Sequence, residues 1–150
     1  MPTAFNALSQ ALAARLLEAP QIVADRVDRS RTAPIPREWP SAIVVRTVST
    51  AGQRNNVGSS SPIDWQTEYA IEIYARATAD QIAEDVLDPL LAAVFDRLAG
   101  WVPPGLATFE VLPEPRIDWD VTDGQTPLVF ASLRAQITHR TQAASLASWG

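Results

Sequence analysis

Residues 65–76 alternate strictly between two sets of side chains. A period of two is typical of a β-strand, in which successive side chains point to opposite faces of a sheet. One set is Trp65, Thr67, Tyr69, Ile71, Ile73 and Ala75, and the other is Gln66, Glu68, Glu72 and Arg76 with Ala70 and Tyr74. We therefore predict a strand with one face packed on a core and one face that is wet or contacts a partner.

Two segments have the three- and four-residue spacing of apolar residues that is typical of amphipathic helices. The first, residues 3–19, has its stripe at Phe5, Leu8, Leu12 and Leu16. The second, residues 78–98, begins with a capping box formed by Thr78 and Gln81. Its predicted buried stripe consists of Ile82, Val86, Leu87, Leu90, Leu91, Val94, Phe95 and Leu98.

The other periodic segments predict further strands. Residues 22–32 carry charges on both faces, which favours an edge strand, whereas residues 41–49 include an apolar run that suits a central strand. Short strands are expected at 107–112 and 116–121, followed by a turn at Asp123-Gly124 and a last strand at 128–141.

This order predicts an α+β fold: an antiparallel or mixed sheet with two main helices on one face, in a two-layer single domain. We assign residues 1–141 to that domain and residues 142–150 to a flexible C-terminal tail.

Residues 50–64 contain almost no apolar side chain and several turn formers, so they predict a long exposed loop. Such a segment buries too little apolar surface to offset its ordering entropy. We expect it to be mobile in the free chain and ordered by a partner. Arg54, Asn55 and Asn56 carry its richest set of hydrogen-bond donors and are the expected contact residues.

Composition limits the function classes. The chain of 150 residues has a net charge of −5 and no cysteine, which excludes disulfides, thiol chemistry and cysteine-based zinc sites. A mildly acidic chain has no general attraction for nucleic acid or anionic lipid. The first 19 residues lack the pattern of a signal peptide, and no stretch approaches the ~20 apolar residues of a membrane span.

Candidate catalytic groups are few. The one histidine, His139, lies on the apolar parity of the last strand, and no serine or aspartate is evidently placed to orient it. Glu68 and Glu72 are ~13 Å apart by strand rise, beyond the usual separation of paired catalytic carboxylates. Asp118 and Asp120 flank Trp119 in ordinary strand patterning.

Metal and nucleic-acid sites are equally weak. The acidic row of the second helix is Asp80, Glu84 and Asp88. Such rows are usually solvated helix faces, although oxygen ligands could hold a hard cation. The basic group Arg26, Arg29 and Arg31 is nearly cancelled by Asp25 and Asp28. We therefore predict no catalytic, cofactor or metal site and no sequence-specific binding of nucleic acid.

Several segments, in this order, resemble the tail terminator family of long-tailed phages (minor tail protein U type). They are WPSAIVV at 39–45, DWQTEYAIEIYA at 64–75, ADQIAEDVLDPLLAAVFDRL at 79–98, FEVLPEPRIDWDVTDG at 109–124 and LVFASLRAQITHRT at 128–141. The resemblance covers roughly residues 3–141, and its most specific parts are the Trp-Gln-x-Glu opening and the junction from strand to helix. The longer middle loop and the C-terminal extension depart from the family pattern.

The resemblance implies a non-enzymatic virion protein, made in the bacterial cytoplasm and located at the head–tail junction. Its copies would form a ring, expected to be a hexamer, that caps the tail tube and stops its polymerisation. The expected partners are other copies, the major tail tube protein and the neck or head-closure protein, with DNA passing through the ring and no membrane. The predicted contact residues are Arg54, Asn55, Asn56, Glu68, Glu72 and Arg76.

Three alternatives stay open at this stage. A neck, head-closure or other tail-completion protein would share the phage origin. A gene-transfer particle could carry the same ring as an infectious phage. A small-ligand-binding or enzymatic α+β domain would need a convergent polar pocket.

Overall fold

The computed structural model describes residues 2–54, 56–122 and 126–149, with only the backbone described at 148 and 149. Its elements are α1 (Ala4–Leu17), β1 (Val27–Arg29), β2 (Ser41–Arg54), β3 (Ile63–Arg76), α2 (Ala83–Leu98), β4 (Thr108–Val111), β5 (Ile117–Val121), β6 (Leu128–Gln142) and β7 (Ser145–Trp149). They form the α+β fold that the sequence predicts. The predicted turn at Asp123-Gly124 lies outside the described residues.

The strands form one mixed sheet around two long central strands. The order runs β1-β2-β3-β6-β4, and β6 also pairs with β5 and β7 at other points along its outer edge. Only β1 and β2 are parallel among the paired strands described. The pair β3–β6 stays in register over the full length of β3, from Ile63↔Thr141 to Arg76↔Leu128. These two strands therefore fix the frame on which the other elements pack.

Both helices cover the same face of the sheet, which gives the predicted two layers. Thr3 caps α1, where its hydroxyl oxygen accepts a 3.2 Å hydrogen bond from the backbone N–H of Asn6. The helix and sheet side chains that meet between the layers form one hydrophobic core. The most buried helical members are Leu8, Leu12 and Leu16 of α1 with Leu87, Val94 and Leu98 of α2.

The predicted start and stripe of the second helix need correction. Helix α2 begins at Ala83, because residues 78–81 form a turn in which the N–H of Gln81 bonds the carbonyl of Thr78 at 3.1 Å. The hydrogen bond between Thr78 and Gln81, the pair that suggested a capping box, therefore lies in this turn, before the first helical residue. Ile82 precedes the first helical residue and is 64% exposed, and Phe95 is also exposed.

The predicted loop at 50–64 is wrong at both ends. Strand β2 continues to Arg54 and pairs with β3 as far as Arg54↔Ile63, so only residues 55–62 connect the two strands. Backbone pairing needs no apolar side chains, which is why the polar sequence hides this hairpin. The hydroxyl oxygens of Thr50 and Thr67 lie 3.2 Å apart across it.

The predicted flexible tail at 142–150 is corrected in the same way. Ser145–Trp149 forms β7 and returns along the end of β6, with Gln142 opposite Ser145. The edge strand expected within residues 22–32 is confirmed, although it is only the three residues of β1.

Candidate functional site

The sheet face opposite the helices, called the open face here, carries a ladder of ion pairs. Three carboxylates of β3 recur at four-residue spacing, and each lies beside an arginine of a neighbouring strand. The pairs and their N–O distances are Asp64–Arg140 at 2.6 Å, Glu68–Arg134 at 3.8 Å and Glu72–Arg46 at 2.8 Å. Solvent screens partly exposed pairs of this kind, so they contribute little to stability. Their main effect is to balance the charge along β3, so the ladder itself is polar and nearly neutral.

Glu72 has the best-defined surroundings in this ladder. Arg46 Nε donates to Glu72 Oε1 at 2.8 Å, and the hydroxyl of Tyr74 donates to the same oxygen at 3.0 Å. The hydrogen bond to Glu72 raises the pKa of Arg46. Burial, with the negative charge of Glu72 beside it, raises the pKa of Tyr74 to about 12. The phenol thus remains a donor at neutral pH, and its ring stacks on Phe130 with a 5.2 Å centroid distance.

Arg76, another predicted contact residue, anchors a connection within the chain. Its Nη2 donates to the carbonyls of Ile35 at 2.8 Å and Pro36 at 3.2 Å. These bonds hold the proline-rich segment before β2 against the end of β3. Arg76 therefore stabilises the segment before β2, a role that the alternation pattern of its strand does not predict.

The residues predicted at the hairpin tip also make internal contacts. Arg54 Nη1 donates to the carbonyl of Ser61 at 2.8 Å and to that of Ser59 at 3.3 Å, which closes the connection. The backbone carbonyl of Asn56 accepts from Ser61 Oγ at 3.2 Å. Asn55 lies outside the described residues.

The structure does not bring the predicted contact residues into one patch. Arg54 lies opposite Ile63 at the start of β3, and Arg76 ends the same strand. At about 3.3 Å per residue these positions are roughly 43 Å apart. Glu68 and Glu72 lie between them on the open face. The described members of this set are thus spread along β3 and the connection before it, and do not form a pocket.

The free outer edge of β2 was not predicted from the sequence. Strand β1 pairs only with Ile43, Val44 and Val45, so residues 46–54 have no partner on that side within the described part of the chain. Residues 47–54 are exposed and contain no lysine, acid or proline. Such residues usually protect a free edge from pairing. A bulge between Thr47 and Ser49 is its one irregularity.

His139 is packed and not presented to solvent. It is 3% exposed on the helix-facing side of β6, with its ring 4.8 Å from that of Phe5 in an edge-on contact. Burial lowers its pKa, so the imidazole is neutral at pH 7. Its buried environment explains why it lies on the apolar parity of β6.

The three arginines before β2 all form hydrogen bonds within the chain. Arg26 Nε donates to Ser41 O at 2.6 Å. Arg31 Nη1 donates to Asp28 Oδ2 at 2.8 Å. Arg29 Nη1 reaches Asn6 Oδ1 at 3.1 Å. These contacts tie the β1 region to its surroundings, and one of the three arginines, Arg31, pairs with an acid.

The described ranges offer neither a metal cluster nor a membrane-spanning helix. No group of three or more histidine, aspartate or glutamate residues is arranged there to hold a metal ion. Neither helix in those ranges is long and apolar enough to cross a membrane.

Models of known protein families and curated protein sequences give no match to this chain. The features that bear on function are the free edge of β2, the open face and the segments at 39–45, 64–75, 79–98, 109–124 and 128–141.

Proposed function

We propose that this chain is a structural subunit that assembles with copies of itself into a closed ring. The ring would be the tail terminator of a long-tailed phage or a related gene-transfer particle. The observation that carries the assembly is the outer edge of β2 over residues 46–54, which pairs with no strand in the described part of the chain.

A free edge of this length favours pairing with another strand. Its outward N–H and C=O groups are satisfied by water in the isolated subunit and would bond a neighbouring strand on assembly. The other end of the strand order is β4, whose outer edge also lacks a partner among the described strands. Contact between two unlike edges is heterologous, and a heterologous contact that closes on itself gives a ring.

The resemblance supplies the tail-terminator part of the proposal. Its segments fall on consecutive elements: residues 39–45 lead into β2, residues 64–75 lie in β3, and residues 79–98 include α2. The two-layer architecture agrees with the fold that the resemblance implies. The net charge of −5 and the pairing of Arg46 and Arg140 with carboxylates of β3 suit a ring that lets DNA pass without binding it. In this role the ring contacts the tail tube on one side and the neck protein on the other.

The assembly is tested with charges placed on the β2 edge. We expect the unmodified chain to form rings, in solution or on tail-tube ends, by light scattering and electron microscopy. Ser49→Lys with Ala51→Lys should leave the thermal midpoint nearly unchanged and abolish the rings, because like charges on an edge oppose strand pairing. Val57→Lys, at a fully exposed position of the β2–β3 connection, is the matched control and should assemble normally.

Two results would contradict the proposal. Rings that form equally well with the lysine pair would exclude the β2 edge as the contact. An unmodified chain that is monomeric both alone and on tail-tube ends would exclude self-assembly. The specific role is tested by growing tails with and without the chain, because a terminator fixes their length.

A further inference from the structure

An arginine-rich cleft opens on the open face, beside the segment that precedes β2. It has a volume of about 490 Å³ and takes four of the twelve arginines of an acidic chain. These are Arg31, Arg37, Arg46 and Arg76. No carboxylate side chain belongs to the cleft wall as far as the described residues define it. Because the chain as a whole is negative, this positive concentration is a local feature.

Part of this charge is already used within the subunit. Arg31 pairs with Asp28, and Arg46 Nε is bound to Glu72. Arg76 Nη2 holds backbone carbonyls, while its buried Nε has no hydrogen-bond partner among the described atoms. Arg37 is exposed and forms no ion pair with a described residue.

The cleft therefore keeps donors that suit an oxyanion. Arg37 offers a whole guanidinium, and Arg46 offers the two terminal nitrogens that Glu72 does not occupy. Guanidinium groups bind carboxylates through paired N–H donors. Ile35, Val44 and Leu128 add apolar wall beside these donors. The matching ligand combines carboxylates with an apolar side chain.

The start of α2 has that combination of groups. Its exposed carboxylates are Asp80, Glu84, Asp85 and Asp88. No ion pair joins any of them to an arginine in the part of the chain that the structure describes. Ile82 lies among them and is 64% exposed. The helix macrodipole accounts for acids in a first turn but not for an exposed isoleucine between them.

We propose that the arginine cleft of one subunit binds residues 80–88 of the neighbouring subunit. This inference rests on the proposed self-assembly and names a contact within it. The cleft lies on the open face, whereas α2 lies in the helix layer over β3 and β6. The contact therefore joins two different surfaces. Each subunit can offer its cleft to one neighbour and its residues 80–88 to the other, as a head-to-tail ring requires.

Cross-linking tests this contact directly, because the chain has no cysteine of its own. Thr32 lines the cleft and Ile82 lies in the acidic segment, and both are exposed. A chain with Thr32→Cys and Ile82→Cys, treated with a short bismaleimide, should give a ladder of covalent multimers. The matched control pairs Thr32→Cys with Val57→Cys at the far end of the sheet, and it should stay mostly monomeric.

Charge reversal supplies the second arm. In the double-cysteine chain, Arg37→Glu alone or Asp85→Arg alone should reduce cross-linking at least about tenfold, because each places like charges in contact. The two reversals together should restore it. A loss with each single change and recovery with both cannot come from misfolding.

The outcomes separate this inference from the proposed function. Rings without a ladder above the control would overturn the cleft contact and leave self-assembly intact. A ladder that neither reversal weakens would also overturn it. If the unmodified chain never assembles and no ladder forms, both proposals are wrong.

Discussion

Arg15 of α1 and Arg97 of α2 each bind the backbone carbonyl of the other. Arg15 Nε donates to Arg97 O at 3.0 Å, and Arg97 Nη1 donates to Arg15 O at 3.3 Å. Arg97 also reaches the carbonyls of Glu18 and Pro20, each at 2.6 Å. The last turns of helices carry unpaired carbonyls and partial negative charge, so these guanidinium groups satisfy both helix ends. The helix layer is thereby joined at one end by polar bonds.

Replacing Arg97 with methionine should lower the free energy of unfolding by about 1–3 kcal/mol, because several carbonyls lose a charged donor. Methionine keeps an apolar stem of similar length. Urea denaturation measures the change. Arg116→Met is the control, since that side chain is exposed and bonds only Asp118 among described residues, and its effect should stay within about 0.5 kcal/mol. Equal effects would mean that the Arg15–Arg97 exchange contributes nothing.

A second prediction concerns the buried face of α2. Leu87 is fully buried between the layers, so Leu87→Ala should cost about 2–5 kcal/mol through lost burial and a residual cavity. Ile82→Ala should cost far less, because Ile82 is exposed and precedes the helix. Thermal unfolding of the two variants gives the comparison. A larger loss of stability with Ile82→Ala than with Leu87→Ala would mean that Ile82 belongs to the buried stripe, as the sequence predicts.

These two residues also show what periodicity can predict. The spacing of Leu87, Val94 and Leu98 identifies the helix and most of its buried face. It does not identify the first residue, because Thr78 and Gln81 form their bond in a turn as readily as in a capping box. Ile82 fits the stripe only if the helix begins earlier than Ala83.

Strand pairing was predicted less completely for a different reason. Strict alternation in β3 and β6 reflects burial of one face, and the sequence records burial. Residues 50–54 are held by backbone bonds to β3 instead, and their side chains are exposed. The free edge and the arginine cleft arise from which strands are neighbours, and no local pattern encodes that order.

His139 predicts a pH dependence of stability. Burial lowers its pKa in the folded chain, so the unfolded chain binds a proton more readily. Stability should therefore be constant above the unfolded value of about 6.5 and fall as the pH drops below it. Urea denaturation at pH 5.5 and 7.5 measures the difference. His139→Phe should reduce that difference whatever its effect on total stability, because His139 is the one histidine. An unchanged difference would assign the slope to the carboxylates.

The close approach of Gly52 to Trp65 predicts the effect of adding a methyl group at position 52. A Cβ at position 52 would lie 2.5 Å from Trp65 Cζ3 and 3.0 Å from Ile63 Cγ2, so the indole has to move. That indole donates from Nε1 to Thr141 Oγ1 at 2.9 Å and contacts the Phe5 ring edge-on. Gly52→Ala should therefore cost about 1–3 kcal/mol and shift the indole N–H resonance of Trp65.

The neighbouring exposed position gives the control for this change. Ala51→Ser should be nearly neutral, because the side chain at position 51 is exposed. In a Trp65→Leu background, Gly52→Ala should lose most of its cost, since the crowded ring is gone and coupled sites are not additive. If residues 50–54 formed a loop, the alanine would be tolerated in both backgrounds. A cost that persists without the indole would place the strain in the backbone of β2 and not in its contact with Trp65.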